Sequence, residues 1–226
     1  MLFYYITDRI QFPGSETERR ESVLRKVAEA TRCGVDFIQL REKDLPVRDL
    51  EKLAFETVRV IRENSPLISN SRARQTKLLI NSRTDVAISC GADGVHLQST
   101  DVRPRDVLEV WTKATHDEGL DIPQQPSVIV SCHTLSDVVR TEENGANFAV
   151  LGPVLEKKSA PEILPTGLNL LREACERKIP VLALGGINLA NAHLCIEAGA
   201  AGIAAIRLFQ ENNIADVMCK LHERKV

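Results

Sequence analysis

The sequence predicts an α/β chain folded as a single (β/α)8 barrel over residues 1–226, and three observations carry that expectation. First, one pattern recurs four times, a glycine followed by a short apolar run: Gly34-Val-Asp-Phe-Ile-Gln-Leu40, Gly91-Ala-Asp-Gly-Val-His-Leu97, Gly145-Ala-Asn-Phe-Ala-Val-Leu151 and Gly199-Ala-Ala-Gly-Ile-Ala-Ala205. The glycines lie 57, 54 and 54 residues apart, a period that holds two strand–helix units. Second, four more apolar runs fall between them, which makes eight strands. Third, stretches with a helical apolar stripe separate most of these strands, and strands alternating with helices form parallel sheets. A doubly wound open sheet is the alternative fold, and the quarter-turn repeat argues against it.

In chain order, Leu2–Ile6 is the first strand. No basic stretch precedes it, so it reads as a strand rather than a signal peptide. Glu21–Arg32 carries Val23, Leu24, Val27 and Ala28 on one helical face. Val47–Glu63, Arg105–Lys113, Leu135–Asn144, Gly167–Lys178, Leu189–Ala198 and Asn213–Arg224 behave alike, and Thr84–Cys90 is a short helix of about two turns. The remaining strands begin near residues 35, 77, 94, 127, 147, 180 and 202. Each repeat glycine is placed to end a helix in the left-handed position. Asn64–Thr76 and His116–Pro126 read as inserted polar loops on the N-terminal rim, with Arg72 and Arg74 solvated.

Composition narrows the function. The chain has 43% hydrophobic and 27% charged residues, a net charge of −2 and a pI near 6.2. No global field favours nucleic acid or a membrane, so any anion site is local. No apolar run approaches the roughly 18 residues of a membrane span. Six cysteines are scattered without a CxxC pair, which points to free thiols and a reduced, cytoplasmic location.

Barrel ligands sit at the C-terminal ends of the strands. Val181-Leu-Ala-Leu-Gly-Gly-Ile-Asn188 is a buried strand opening into two glycines, with Asn188 where a helix N-cap would fall. Gly185 and Gly186 let backbone N–H groups approach an oxyanion, and Arg207 ends the next strand. Gln39, Arg41 and Lys43 share one parity, so an extended segment points all three one way. One amide and two cations suit phosphate oxygens; a surface ladder with Glu42 and Asp44 is the plainer alternative. Asn81 and Ser131 also fall at strand ends. Asp101 is either a Mg²⁺ ligand or a helix N-cap. His133 is a candidate general acid or base. His96, inside a strand, reads as structural, and His193, Glu197 and His222 carry no assigned chemistry.

The segments Tyr5-Ile-Thr-Asp-Arg9, Gln39-Leu-Arg-Glu-Lys-Asp44, Leu79-Ile-Asn-Ser-Arg-Thr-Asp85, Gly91-Ala-Asp-Gly-Val-His-Leu97, Val130-Ser-Cys-His-Thr134, Leu151-Gly-Pro-Val154 and Ala183-Leu-Gly-Gly-Ile-Asn188 occur in this order. Together they resemble the thiamine phosphate synthase/TenI superfamily across nearly the whole chain. The resemblance implies a barrel enzyme of thiamine biosynthesis. Its synthases join a hydroxymethylpyrimidine diphosphate to a thiazole phosphate with Mg²⁺ and release pyrophosphate; its TenI branch includes metal-free thiazole tautomerases. Gln39, Arg41 and Lys43 then resemble pyrimidine and diphosphate contacts, Asn81 a further diphosphate contact, Asp101 one of two Mg²⁺ ligands, and Ser131 a pyrimidine-site serine. Gly186 resembles the thiazole phosphate cradle.

Departures from the family pattern bear on the subclass. Synthases usually carry Asn-Asp-Arg after the third strand, whereas Ser82 stands in place of the aspartate. A Thr-x-Thr-Lys segment is usual after Gly-Pro-Val, whereas here Leu155-Glu-Lys-Lys-Ser-Ala160 follows, with Ala160 at the lysine position beside Lys157 and Lys158. Arg207 replaces a serine. An arginine there still suits a phosphate, but loss of the aspartate and the lysine weakens charge neutralisation on leaving pyrophosphate. The leading expectation is a TenI-like tautomerase with His133 as acid and base and no cofactor. A Mg²⁺-dependent synthase, with Lys43 acting on the diphosphate, is the first alternative, and a non-catalytic phosphate-binding homologue the second. The resemblance also implies a homo-oligomer; neither nucleic acid nor membrane is an expected partner.

Overall fold

A computed structural model describes residues 1–65, 75–116, 120–156 and 162–223. Eight parallel strands close into a barrel in the order β1-β2-β3-β4-β5-β6-β7-β8. They are β1 (Leu2–Ile6), β2 (Phe37–Leu40), β3 (Lys77–Asn81), β4 (Gly94–Leu97), β5 (Ser127–Cys132), β6 (Phe148–Leu151), β7 (Val181–Leu184) and β8 (Gly202–Ala205). The helices are α1 (Glu16–Arg32), α2 (Val47–Asn64), α3 (Thr84–Cys90), α4 (Pro104–Ala114), α5 (Leu135–Glu143), α6 (Gly167–Cys175), α7 (Ala192–Glu197), α8 (Arg207–Gln210) and α9 (Ile214–Glu223). Gly34, Gly91, Gly145 and Gly199 all have positive φ, between 72° and 100°, as helix-ending glycines require.

Of the boundaries that differ from expectation, three bear on the caps and the site. Helix α1 starts at Glu16 because Ser15 and Glu18 form a reciprocal capping box. Helix α7 starts at Ala192 with Asn191 as its N-cap. Asn188 instead begins a turn: its N–H donates to Asn191 Oδ1 and its own Oδ1 accepts the Ala190 N–H. The chain after β8 forms the extra short helix α8, and Arg207 is its first residue. Arg72, Arg74, Lys157, Lys158 and Ala160 lie outside the described residues.

Side-chain alternation along the strands sorts the core into two parts. One lies between barrel and helices and includes Trp111, Leu53, Ile38, Ile80 and Ile203. The other fills the barrel with Tyr4, Ile6, Phe37, Leu79, Ile129, Val150, Leu182 and Ala204. Strand registers stack the inward residues in layers of four from alternate strands. Even strands contribute Phe37, Gly94, Phe148 and Gly202 at the floor, with odd strands above them contributing Tyr4, Leu79, Ile129 and Leu182. Next come Gln39, His96, Val150 and Ala204, then Ile6, Asn81, Ser131 and Leu184. The floor is apolar; polar groups enter only toward the C-terminal ends. Among the described residues no helix is long and apolar enough to cross a membrane.

Candidate active site

A cavity of about 1080 Å³ opens over these upper layers, at the upper end of the size of small-molecule sites. Nine of the ten residues expected at the site line it: Gln39, Arg41, Lys43, Asn81, Ser131, His133, Gly185, Gly186 and Arg207. Strand β2 ends at Leu40 and Lys43 lies in a turn, yet Gln39, Arg41 and Lys43 still share the cavity. Asp101 is the exception. Its N-cap alternative fails, since α4 is preceded by Arg103. Its Oδ2 accepts the Gln98 N–H at 2.7 Å, and it sits off the cavity wall, near enough to Lys43 to oppose the lowering of that lysine's pKa. Burial, and then Arg41, lower it.

The β2 wall rests on a charged cluster, not on the surface ladder that was the alternative for Glu42. Glu42 is buried, its side chain 1% exposed against 5% for Arg9. Thr7 Oγ1 donates to Glu42 Oε1 at 2.5 Å, and the Arg9 N–H and Nη1 both donate to Oε2. Thr7 Oγ1 in turn accepts the Arg41 N–H at 3.0 Å, which ties the cationic turn to the end of β1. Arg9 also forms a two-pronged pair with Asp44, both bonds 2.6 Å, and donates to Glu16. Burial pushes the Glu42 carboxyl up, and Asp44 foremost holds the Arg9 guanidinium charged.

Arg9 holds Asp44 and Glu16 below their ordinary values of 3.8 and 4.5. Carboxylates lowered in the folded chain stabilise it above their unfolded pKa values, and that stabilisation is lost as pH falls through the lowered ones. Urea midpoints measured from pH 6 down to pH 3 should therefore decline for the native chain. Asp44→Asn should flatten part of this decline; an unchanged slope would remove Asp44 as a contributor.

Gln39 is 1% exposed. Its Nε2 donates to Asn81 Oδ1 at 2.8 Å, and its Oε1 has no hydrogen-bond partner. A buried acceptor left unpaired is costly and on a cavity wall marks a place for a ligand donor. Ser82, beside Asn81, is the one non-glycine residue with positive φ among the described residues, at 58°. Its Oγ accepts from Asn81 Nδ2 and Gln98 Nε2, both at 3.2 Å.

His133 Nδ1 lies 2.6 Å from the Gly152 carbonyl oxygen. A carbonyl only accepts, so Nδ1 carries a proton, and any acceptor role of the ring falls to Nε2. Gly186 has φ +71°, and a Cβ there would meet the Leu155 and Glu156 carbonyl oxygens at 2.5 Å. Its neighbour Gly185 has φ 94°. Close approach of the β6 loop thus requires glycine at 186, and it presses the turn against the cavity where Asn188, Ile206 and Arg207 also sit.

His96, expected to be structural, stands at the edge of the site. It lines the cavity while only 2% exposed, and its two nitrogens contact Tyr4 Oη at 2.7 Å and Ser131 Oγ at 2.8 Å. Inward parity could have found it, because His96 pairs in register with Asn81.

A family model for thiamine monophosphate synthase matches residues 3–209. The chain belongs to that family. It is 37% identical over 211 residues to a protein of Aquifex aeolicus provisionally named thiamine-phosphate synthase 2, covering 92% of this chain and 97% of that one. It is 32% identical over 207 residues to the thiamine-phosphate synthase of Roseiflexus sp., covering 91% and 76%. Among solved structures, thiamine phosphate pyrophosphorylase from Pyrococcus furiosus superposes with a TM-score of 0.75 at 26% identity, covering 98% of this chain and 94% of that one. This thiamine monophosphate synthase family member is an enzyme of the barrel class the sequence predicted.

Mg²⁺ is implied by the family, and the donor set fits it only thinly. No group of three or more His, Cys, Asp or Glu that could hold a metal occurs among the described residues. Asp101 supplies one carboxylate, with Oδ2 already engaged by Gln98. Mg²⁺ is commonly held by one or two carboxylates plus substrate phosphates and water, so a single-carboxylate site at Asp101 is chemically adequate.

Proposed function

We propose that this chain is a thiamine-phosphate synthase, joining a hydroxymethylpyrimidine diphosphate to a thiazole phosphate and releasing pyrophosphate. The observation that carries the reading is two anion-facing walls in one cavity, Arg41 and Lys43 after β2 and Gly185, Gly186 and Arg207 after β7 and β8. A single phosphate monoester needs only one of them. The relatives' names support the same reading over the tautomerase first expected from Ser82 and Ala160.

In this reading the unpaired Gln39 Oε1 accepts from the pyrimidine amino group and Ser131 holds the ring. Arg41, Lys43 and Asn81 grip the diphosphate, and the charge of the arginine and lysine stabilises the electron pair that pyrophosphate takes as the carbon–oxygen bond breaks. The Gly185-Gly186 turn and Arg207 hold the thiazole phosphate so that the new bond forms at the same carbon. Bound Mg²⁺, held by Asp101, would add further charge neutralisation on the diphosphate.

Incubation with both substrates and Mg²⁺ should yield thiamine phosphate and pyrophosphate, detected by chromatography. No product would reject the reading. The tautomerase is favoured by one observation, His133 lining the same cavity with its Nδ1 held by the Gly152 carbonyl; conversion of the thiazole carboxylate phosphate tautomer, lost in His133→Ala, would favour it instead. Ser82→Asp restores a second carboxylate at a left-handed position that Asp tolerates better than most residues. It should raise the Mg²⁺-dependent rate by about tenfold; a steady-state assay across Mg²⁺ concentrations checks this, and an unchanged rate would count against metal binding between 82 and 101.

A further inference from the structure

We propose that Tyr4 and His96 act as positioning residues that force the Ser131 hydroxyl to donate its proton to the ligand. The inference rests on the synthase reading only for the identity of that ligand. Tyr4, His96 and Ser131 occupy three successive layers of the barrel interior, from β1, β4 and β5. They form a hydrogen-bonded column that rises from the apolar lower layers and ends at the cavity.

The direction of its hydrogen bonds follows from what each group can do. Tyr4 is fully buried, and His96 Nδ1 is the hydrogen-bond partner of its hydroxyl. Burial holds the Tyr4 pKa well above its ordinary value, so the hydroxyl keeps its proton. Were Nδ1 the donor, the buried Tyr4 proton would have no hydrogen-bond acceptor among the described residues. Tyr4 therefore donates to Nδ1. Burial and the charge of Arg41 push the His96 pKa down to about 3, so the ring is neutral and carries one proton. That proton is on Nε2, which donates to Ser131 Oγ at 2.8 Å.

Ser131 Oγ thus receives a hydrogen bond from below, and its own proton is left for the cavity. A ring nitrogen or a phosphate oxygen suits that donor; a ligand N–H does not. On β2, one layer below and facing the same cavity, Gln39 Oε1 is an unpaired acceptor. The cavity so built offers one donor and one acceptor from different strands, which suits a ring that carries both an acceptor nitrogen and an amino group. Without Tyr4, His96 could take either tautomer, and in the Nδ1–H form its Nε2 would accept the serine proton and withdraw it from the ligand. Only the fraction of molecules with the correct tautomer would then bind well.

The test combines a spectrum with a mutant cycle. In protein labelled with ¹⁵N-histidine, long-range ¹H–¹⁵N correlation should show His96 in the neutral Nε2–H form from pH 5 to pH 9. Tyr4→Phe keeps the ring and should weaken pyrimidine diphosphate binding by roughly three- to tenfold, leaving thiazole phosphate affinity unchanged. In a Ser131→Ala background the same change should cost nothing more. A native His96 protonated on Nδ1 would overturn the proposal, as would an equal loss from Tyr4→Phe with and without Ser131. If the native protein binds no pyrimidine diphosphate, the synthase reading fails, and the His96 tautomer still decides the direction of the column.

Discussion

Gly186→Val is expected to abolish thiazole phosphate binding at millimolar ligand and to lower stability by about 3 kcal/mol or more. Two independent costs combine. A φ of +71° disfavours any β-branched residue. The added Cβ also falls 2.5 Å from the Leu155 and Glu156 carbonyl oxygens, so either the turn or the β6 loop must move. Both carry cavity-lining residues, so relief of the clash displaces the backbone N–H groups offered to phosphate. Calorimetric titration with thiazole phosphate and a urea melt read the two effects separately. Retained binding with lost stability would mean that the phosphate sits elsewhere.

Arg9→Ala is expected to cost about 3–5 kcal/mol in stability, measured by chemical denaturation at pH 7. The arginine serves three carboxylates, and Glu42 is the one that cannot turn to water. Removing the guanidinium strands a buried carboxylate that keeps only its bonds from Thr7 and the residue 9 backbone N–H. The change reaches the site through Thr7, which anchors the Arg41 N–H. Affinity for inorganic pyrophosphate should therefore fall by about tenfold, roughly the loss of one well-placed charged contact. Glu42→Gln, which keeps the shape and removes the charge, should cost less than Arg9→Ala. A loss under about 1 kcal/mol in Arg9→Ala would show that Glu42 is protonated in the native chain.

Periodicity and glycine placement contain most of the fold. A repeat of two strand–helix units, glycines at helix ends and short apolar runs are local signals, and they located all eight strands to within a few residues. The cavity was legible for a related reason. In a closed parallel barrel the strand ends converge, so knowing the ends of β2, β3, β5, β7 and β8 is enough to gather Gln39, Asn81, Ser131, Gly186 and Arg207. Capping chemistry was legible but overlooked at Ser15 and Glu18, and misplaced at Asn188, where a side-chain turn competes with the helix start.

Burial of charge and the direction of hydrogen bonds were decided only in three dimensions. Glu42 alternates with Arg41 and Lys43 and looks like a surface residue in a charged run. It is buried because the end of β1 lies against it and brings Thr7 and Arg9 as partners, residues more than thirty positions away. Asp101 has the right composition for a metal ligand, and its local turn with Gln98 sets it back from the wall. Tyr4, His96 and Ser131 lie 92 and 35 residues apart and each has an ordinary neighbourhood in the chain. Their common column exists because strand register stacks alternate strands in layers. Sequence by itself determined the barrel, the family and most of the residues that line the cavity. Tertiary structure decided which polar groups are paired, which are left for a ligand, and which way their protons point, because those depend on partners that only closure of the barrel brings within hydrogen-bonding distance.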